Sequence, residues 1–328
     1  MGIHLNRNSD KPAKSTEKIV RFAVVFIISI AVLLSVIKSR SSLSEFARTI
    51  LSVNIFLFFL SNVPYFIQAL IMGLRLKICF QKLGTKITFK NALLSHLTGM
   101  FFSNFSMGRT GYLAAALPVE TRINVSLGVV STTIAVDAIF KGVIGGVCIL
   151  IFSILFFQYE YTLTAIAVST FMAGGGILFL LYVWKDVDLL ERISVKIPIF
   201  GQRLAIFLKE WRESIRDLES FVPALFAFPL AGLILRGFEW SILASACGFQ
   251  LSVPLAMLLH PMLTILRLIP FTLSGMGVFE FALITLLPQY PESNLIAFGI
   301  LDMINNAFVD ATGLPILMKT KIRKISNF

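Results

Sequence analysis

Long apolar stretches separated by short charged segments dominate this sequence of 328 residues. Several of them, including residues 19–37, 50–74 and 125–157, reach the roughly 20 residues that a helix needs to cross the hydrocarbon core of a bilayer. Charged residues make up only 14% of the chain, whereas ordinary soluble domains carry roughly 25%. We therefore predict an all-α protein, a polytopic bundle of membrane-spanning helices.

Basic residues lie mainly in the predicted loops and termini. The net charge is +11, and residues 75–90 contain Lys and Arg but no acidic residue. Because cytoplasmic loops of membrane proteins carry such an excess, we expect this segment and both termini on the cytoplasmic side of the cell (inner) membrane. Residues 38–49 are then external. The sequence contains no motif that reads bases, so a nucleic-acid partner is not expected.

The apolar pattern divides the chain into a disordered cytoplasmic tail at 1–18, a transmembrane domain at 19–318 and a basic cytoplasmic tail at 319–328. Within the transmembrane domain, residues 185–220 are the only sizeable polar piece. Their apolar side chains recur at helical spacing, which predicts a cytoplasmic amphipathic helix on the membrane surface or against the bundle. This piece is too short to form a catalytic domain with its own core.

Two apolar segments are interrupted near their middle by polar and helix-breaking residues. Residues 91–117 contain SNFSMGRTG, and residues 254–291 contain Pro270 followed by SGMG. Proline kinks or ends a helix, and glycine permits backbone conformations closed to other residues. We predict two re-entrant hairpins that enter from opposite faces, in addition to about six full spans. In transporters, such half-helix ends hold polar substrate groups and ions.

Ionisable side chains inside apolar segments are expensive to insert and are by default paired or functional. Arg109 and Arg267 lie in the two broken segments with no acidic residue nearby in sequence. Each guanidinium is predicted to bind a phosphate bidentately, the alternative being that one of them snorkels to the interface. The predicted headgroup site consists of these arginines and the small residues beside them, Gly108, Gly111, Ser274, Gly275 and Gly277.

The other intramembrane charges each have two interpretations. Asp137 and Lys141 are helical neighbours, and so are Arg236 and Glu239; each pair is either a structural ion pair or part of a transport path. Glu280 follows the second glycine turn, where it either caps a half-helix or couples transport to an ion. The last span carries polar residues that either line a wet path or hydrogen-bond between helices, namely Asp302, Asn305, Asn306 and Asp310.

The order and spacing of these motifs resemble the membrane region of lysylphosphatidylglycerol synthases, a flippase-like family. The likeness covers residues 50–319 and includes SNFSMGRTGYLAAALP, the helix around Asp137 and LSGMGVFEFALITLL. Tyr112 and Phe279 stand where that family usually has Glu and Arg. The family's cytosolic aminoacyl-transfer domain has no counterpart in these residues, so the resemblance implies lipid translocation and not lysyl-lipid synthesis.

Three functions follow from the sequence. The first is a flippase-like transporter that moves a phospholipid or a polyprenyl-linked (glyco)lipid headgroup between leaflets. The second is a non-transporting partner that anchors a lipid- or glycan-modifying enzyme. The third is a membrane-embedded lipid-modifying enzyme, which is disfavoured because the His residues lack metal spacing and neither HExxH nor GxSxG occurs. We expect the first, with no enzymatic activity, no metal and no cofactor, and we leave a homo-oligomer open.

Overall fold

The computed structural model describes residues 11–106, 112, 127–156, 166–184, 188–198, 201–267 and 272–315. Within these ranges the regular structure is entirely helical, as the sequence predicts. Four helical stretches in the same ranges are long and apolar enough to cross a membrane, Ala23–Arg40, Ile55–Lys82, Glu219–Ala246 and Glu292–Gly313. The chain is therefore an all-α membrane protein. The total of six spans and the sides on which the termini lie stay predictions.

The helices follow one another along the chain, and the helix at Leu127–Phe156 confirms the long helix predicted at 125–157. Short 3-10 turns at Glu219–Phe221, Leu273–Gly275 and Ala311–Gly313 and a π turn at Thr170–Gly174 lie between or beside them. In order, the helices are α1 (Lys11–Arg40), α2 (Leu43–Ser52), α3 (Ile55–Lys82), α4 (Phe89–Asn104), α5 (Leu127–Phe156), α6 (Gly175–Trp184), α7 (Leu189–Val195), α8 (Gly201–Arg216), α9 (Val222–Ala246), α10 (Val253–Leu266), α11 (Val278–Leu286) and α12 (Glu292–Asp310).

The predicted polar tail at 1–18 is partly helical, which corrects its boundary. Helix α1 begins at Lys11, and Pro12 occupies its first turn, where a missing N–H breaks no helical hydrogen bond. The following residues include Ala, Lys and Glu, which are strong helix formers. Polar character alone therefore does not end the helix. Residues 1–10 lie outside the described part of the chain.

The segment predicted as an external loop, residues 38–49, is also helical. Helix α1 continues to Arg40, and α2 begins after Ser42, whose Oγ accepts a hydrogen bond from the Glu45 backbone N–H at 3.1 Å. None of the side chains of α2 is buried. The sequence prediction missed α2 because a short amphipathic helix lacks the continuous apolar run that marks a span.

Helix α3 extends beyond the span predicted at 50–74 and into the basic loop predicted at 75–90. It begins after Asn54, which caps it, and ends at Lys82. Its 28 residues make it about 42 Å long, more than the roughly 30 Å of a bilayer core. Arg75 is only 2% exposed, although it was expected in a loop. The apolar run marks only the lipid-covered part of a helix and not its end.

In the described part of residues 185–220, two helices replace the single amphipathic helix predicted. Pro198 lies between α7 and α8 and cannot continue a helix. The two helices form a hairpin in which Arg212 Nε donates to Glu191 Oε1 at 2.7 Å. Ile215 is buried at the base of α8, in an apolar cluster with side chains of α3, α5 and α9. The expectation that an amphipathic helix lies against the bundle is confirmed for α8.

The second broken segment is confirmed in the described residues. Helices α10 and α11 have 14 and 9 residues, so neither is long enough to cross a bilayer alone. The turn between them contains Ser274, Gly275 and Gly277 with φ angles of 51°, 75° and 84°. A Cβ on Gly277 would lie 2.5 Å from Cγ1 of Val32, so the turn lies directly against α1. Pro270 lies outside the described residues.

The first broken segment is confirmed only at its start. Helix α4 ends at Asn104, where SNFS interrupts the apolar run. Gly108, Arg109 and Gly111 lie outside the described residues, and the hairpin that they were predicted to form stays a prediction.

Helix α9 packs between α3 and α10, and two glycines bring these helices close. A Cβ on Gly232 would lie 2.7 Å from Cε of Met72, and a Cβ on Gly237 would lie 2.5 Å from Cγ of Met257. Small residues at such contacts let membrane helices approach closely. Further along α9, Trp240 packs in the main apolar core with residues of α10, α11 and α12. The polar side chains of α12 are consequently enclosed against α3 and α9.

Candidate functional site

An ion pair on α9 lies at the centre of a buried polar network. Arg236 is 4% exposed and Glu239 is fully buried. Arg236 Nη1 donates to Glu239 Oε2 and to Asn306 Oδ1, both at 2.6 Å. The guanidinium also lies over the Tyr65 ring, with Cζ 4.0 Å from the centroid, a cation–π contact that is worth about 2 kcal/mol in a desolvated site. The ion pair considered for these helical neighbours is confirmed.

Glu239 links α9 to α3 and α12. Its Oε1 accepts a hydrogen bond from Asn305 Nδ2 at 2.7 Å, and Asn305 Oδ1 accepts one from Ser61 Oγ at 3.4 Å. Glu239 therefore has one carboxylate oxygen bound by Arg236 on its own helix and the other bound by Asn305 on α12. The interhelical hydrogen bonds considered for Asn305 and Asn306 are confirmed, and their place in a wet path stays a prediction.

Asp302 joins the two buried arginines of the network. Its Oδ1 accepts from Trp240 Nε1 at 3.0 Å, and its Oδ2 accepts from Arg267 Nη2 at 2.5 Å. Arg236 Nη1 lies 4.0 Å from the same carboxylate. Arg267 also stacks over the Phe279 ring, 3.9 Å from its centroid. Arg267 has no acidic residue close to it in sequence, but in the structure Asp302 of α12 is its acidic partner. The role of Arg267 in phosphate binding stays a prediction.

Asp310 connects the end of α12 to the first broken segment. The Tyr65 hydroxyl lies 2.9 Å from both carboxylate oxygens, and Asn104 Nδ2 donates to Oδ2 at 2.8 Å. Asn104 is the last residue of α4, so the point where α4 ends is tied directly to the buried network. Thr98 Oγ1 adds a hydrogen bond to the Gly313 carbonyl at 3.1 Å.

Glu280 caps the second half-helix. Its Oε2 accepts a hydrogen bond from the Gly277 backbone N–H at 2.6 Å. Gly299 on α12 makes room for this carboxylate, since a Cβ there would lie 2.7 Å from Glu280 Oε1. The capping interpretation is confirmed, and ion coupling by Glu280 stays a prediction. Gly275 lies close to Arg267, because a Cβ on Gly275 would lie 3.0 Å from the Cα of that arginine.

A cavity of about 310 Å³ opens beside the Arg236–Glu239 pair, between α3, α5, α9 and α10. Its polar lining includes Arg236, Lys141, His260 and Tyr112, and most of the remaining lining is apolar. Small-molecule sites typically have volumes of about 300–1,000 Å³, largely apolar walls and a few fixed polar groups. The cavity therefore suits a small polar group attached to an apolar one.

The sequence-based pairing of Lys141 with Asp137 is not tested, because the Asp137 side chain lies outside the described residues. Lys141 itself lies at the cavity, on α5. The structure thus assembles most of the predicted intramembrane charges into one network with one adjoining cavity. Arg109, Gly108, Gly111 and the side chain of Asp137 remain outside the described part.

Sequence reasoning did not select several residues of the network, among them Asn104, Tyr65 and Trp240. Asn104 carried a signal, since it is one of the polar residues that interrupt an apolar run. Tyr65 and Trp240 carried none, because amphipathic aromatic residues are ordinary in membrane helices and only packing shows which partner the OH or N–H meets.

Metal ligands do not come together in the ranges that the structure describes: no three His, Cys, Asp or Glu side chains form a group that could hold an ion. Cys79, Cys148 and Cys247 are buried, lie on separate helices or helix ends, and are not joined by disulfides.

These features define a polytopic helical membrane protein whose charged side chains are gathered inside the bundle. Residues 19–311 match the family described as the lysylphosphatidylglycerol synthase TM region. Since the match covers most of the chain, the protein belongs to this family, as the sequence resemblance implied. No curated protein matches the chain.

Proposed function

We propose that this protein moves a lipid headgroup between the two leaflets, the lipid being a phospholipid or a polyprenyl-linked (glyco)lipid. The observation that supports this most directly is the cavity lined by Arg236 and Lys141 inside a bundle of membrane helices. Charged side chains at the bilayer centre cost on the order of 3 kcal/mol each to insert. Their position beside an open space is explained if a ligand uses them.

On this proposal the headgroup enters the polar interior while the acyl or prenyl chains remain in lipid. The buried network offers successive hydrogen-bond partners along α12, from Asp302 to Asp310. Arg109 and Arg267 retain their predicted place on either side of the path, and Glu280 or Asp302 would couple movement to protons.

The proposal makes the protein a transporter of the cell (inner) membrane and not an enzyme. Its partners are membrane lipids, anionic phospholipids or polyprenyl phosphate-linked lipids. Membership of a family of lipid-synthase membrane regions supports a role with lipids.

The test is headgroup translocation in proteoliposomes that contain the purified protein. The panel consists of fluorescently labelled anionic, zwitterionic and polyprenyl-phosphate lipids, with an impermeant quencher reporting the outer leaflet. We expect one class to move, and Arg109→Gln and Lys141→Gln each to slow it by about tenfold or more, which is the effect of losing about 1.4 kcal/mol. Lys209→Gln, on the exposed face of α8, is the control.

Arg267 needs a paired variant, because Arg267→Ala alone would leave Asp302 buried and unpaired. Arg267→Gln/Asp302→Asn removes both charges and is expected to abolish movement while the fold survives. A folded and correctly reconstituted protein that moves no lipid of the panel would contradict the proposal. Anchoring of a lipid- or glycan-modifying enzyme would then become the leading function, to be tested by partner capture.

A further inference from the structure

Arg236 uses only one nitrogen of its guanidinium in the contacts described above. Its hydrogen bonds to Glu239 and Asn306 both leave Nη1, and so does the 4.0 Å contact with Asp302. Nε is buried and has no hydrogen-bond partner. The Nε–Nη2 edge, which presents two parallel N–H groups, is therefore not engaged by these side chains. This is an edge with which arginine binds carboxylates and phosphates bidentately.

An unused donor on a buried guanidinium is unfavourable, since an unsatisfied buried polar group costs about 1–3 kcal/mol and a charged one costs more. At Arg236 this cost coincides with an adjoining space, because the residue lines the cavity. A ligand with two suitably spaced oxygens would satisfy the edge. The unpartnered Nε is thus a specific observation in favour of an anion and not only of an apolar occupant.

The guanidinium is also held in place before any ligand binds. Glu239 and Asn306 restrain its Nη1 side, and the Tyr65 ring lies against its face at 4.0 Å. Side chains fixed by packing and by hydrogen bonds to their neighbours lose little freedom on binding, which favours affinity.

Arg267 provides an internal comparison. It is equally buried, it is paired with Asp302, it stacks on Phe279, and its Nε also lacks a partner. However, Arg267 does not belong to the lining of this cavity, whereas Arg236 does. Burial, an Nε without a hydrogen-bond partner and an adjoining cavity come together at Arg236.

We propose that the Nε–Nη2 edge of Arg236 binds the phosphate of a lipid headgroup in this cavity, with Lys141 as the second cation of the site. The identity of the ligand as a lipid rests on the proposed function, whereas the binding of a phosphate rests on the geometry. A volume of about 310 Å³ accommodates a headgroup but not two acyl chains, so the chains lie outside the cavity. Arg236 is then a binding residue in addition to its structural pairing with Glu239.

Equilibrium binding to the full-length protein in detergent tests this proposal without requiring transport. Trp240 is a suitable reporter, because its ring lies 5.0 Å from that of His260, which lines the cavity. With Trp184→Phe/Trp211→Phe as the background, dihexanoyl phosphatidylglycerol, dihexanoyl phosphatidylcholine, farnesyl phosphate, inorganic phosphate and dihexanoylglycerol are titrated separately. We expect lipid-linked phosphates to bind and dihexanoylglycerol not to bind.

Arg236→Lys keeps the positive charge but loses the planar fork, so we expect it to weaken binding of the phosphate lipids by about tenfold or more. Arg236→Gln/Glu239→Gln removes the ion pair as a unit and should abolish binding. The matched control is Arg212→Gln/Glu191→Gln, which removes a well-shielded ion pair outside the cavity lining and should leave the affinity unchanged. Thermal melting identifies the variants that remain folded.

Equal affinity of the folded Arg236→Lys variant and the unsubstituted protein for phosphate lipids would overturn the inference. Binding of dihexanoylglycerol as tight as that of the phosphate lipids would also overturn it, and binding of inorganic phosphate alone would overturn its lipid part. Failure of the two proposals can be distinguished. Arg236-dependent binding without translocation refutes only the transport function, and translocation that is insensitive to Arg236→Lys refutes only the site.

Discussion

Glu239 joins α9 to α12 inside the buried network. Its carboxylate accepts hydrogen bonds from Arg236 and from Asn305 and is fully buried. Breaking a buried pair is much more damaging than replacing it as a unit, because one partner is then left as an uncompensated charge. In a membrane helix this asymmetry is strengthened, since water cannot solvate the remaining charge.

At the residue scale we therefore predict that Glu239→Ala lowers the free energy of unfolding by about 3–5 kcal/mol. Arg236→Gln/Glu239→Gln should be destabilised less than Glu239→Ala, although it changes two residues. Denaturant titration of the two variants in mixed micelles gives the comparison. A double variant less stable than Glu239→Ala would show that the pair itself, and not the unpaired charge, supplies the stability.

The turn between α10 and α11 requires a glycine at a specific position, which an apolar pattern alone does not provide. Gly277 combines a φ of 84° with direct contact to α1, where a Cβ would lie 2.5 Å from Val32 Cγ1. A side chain at this position meets both a strained backbone and occupied space. The close contact between this turn and α1 therefore requires a glycine at position 277.

We predict that Gly277→Ala destabilises the protein by about 1–3 kcal/mol, through backbone strain and overpacking. Gly175→Ala is the matched control, because its backbone is helical and, among the described residues, no atom beyond its own stretch of helix lies within 4 Å of the added Cβ. In the control, alanine should be neutral or stabilising by up to about 1 kcal/mol. Melting temperatures of both variants in the same detergent test this prediction. Equal shifts of the melting temperature for Gly277→Ala and Gly175→Ala would contradict it.

The α7–α8 hairpin contains an ion pair between its two helices, formed by Arg212 and Glu191. The Arg212–Glu191 pair is shielded, with side chains 10% and 12% exposed, whereas the Lys209–Glu213 pair on α8 is 65% and 50% exposed. Exposed pairs contribute little to stability, and a shielded bond between two helices contributes more.

Arg212→Ala should therefore open the hairpin, and Lys209→Ala should not. We expect protease cleavage within residues 188–216 to become about tenfold faster in Arg212→Ala, which corresponds to roughly 1.4 kcal/mol of lost local stability. Limited proteolysis followed by mass mapping of the cleavage sites measures this. Similar cleavage rates for the two variants would mean that apolar packing of α8 alone holds the hairpin.

At the scale of the whole molecule, α3 connects two regions that the charge pattern places on opposite sides of the membrane. We predict that a cysteine at Ser44 is labelled by an impermeant maleimide in intact cells. A cysteine at Lys82 should be labelled only after permeabilisation. Both positions are exposed, and the three native cysteines are buried and can be replaced by alanine for the background. The reverse pattern would invert the predicted orientation of the protein.

The sequence predicted most of the helices and part of the network. Arg236 and Glu239 lie three residues apart, so helical geometry alone places them on one face. The pairing of Arg267 with Asp302 was not predictable, because these residues lie on different helices and their approach depends on how α10 and α12 pack. The ends of α1 and α3 were missed for a related reason, since apolar length records contact with lipid and not the extent of helical hydrogen bonding.

The apolar pattern by itself determined that the chain is an all-α membrane protein with a break at SGMG, because a bilayer requires every backbone polar group to be satisfied within helices. Its motifs also indicated the family to which it belongs. Only the tertiary structure decided which charges neutralise one another, and that Arg236 lines a cavity while its Nε has no hydrogen-bond partner. Such contacts depend on the mutual rotation of several helices, and that rotation is set by interdigitating side chains that are distant in sequence.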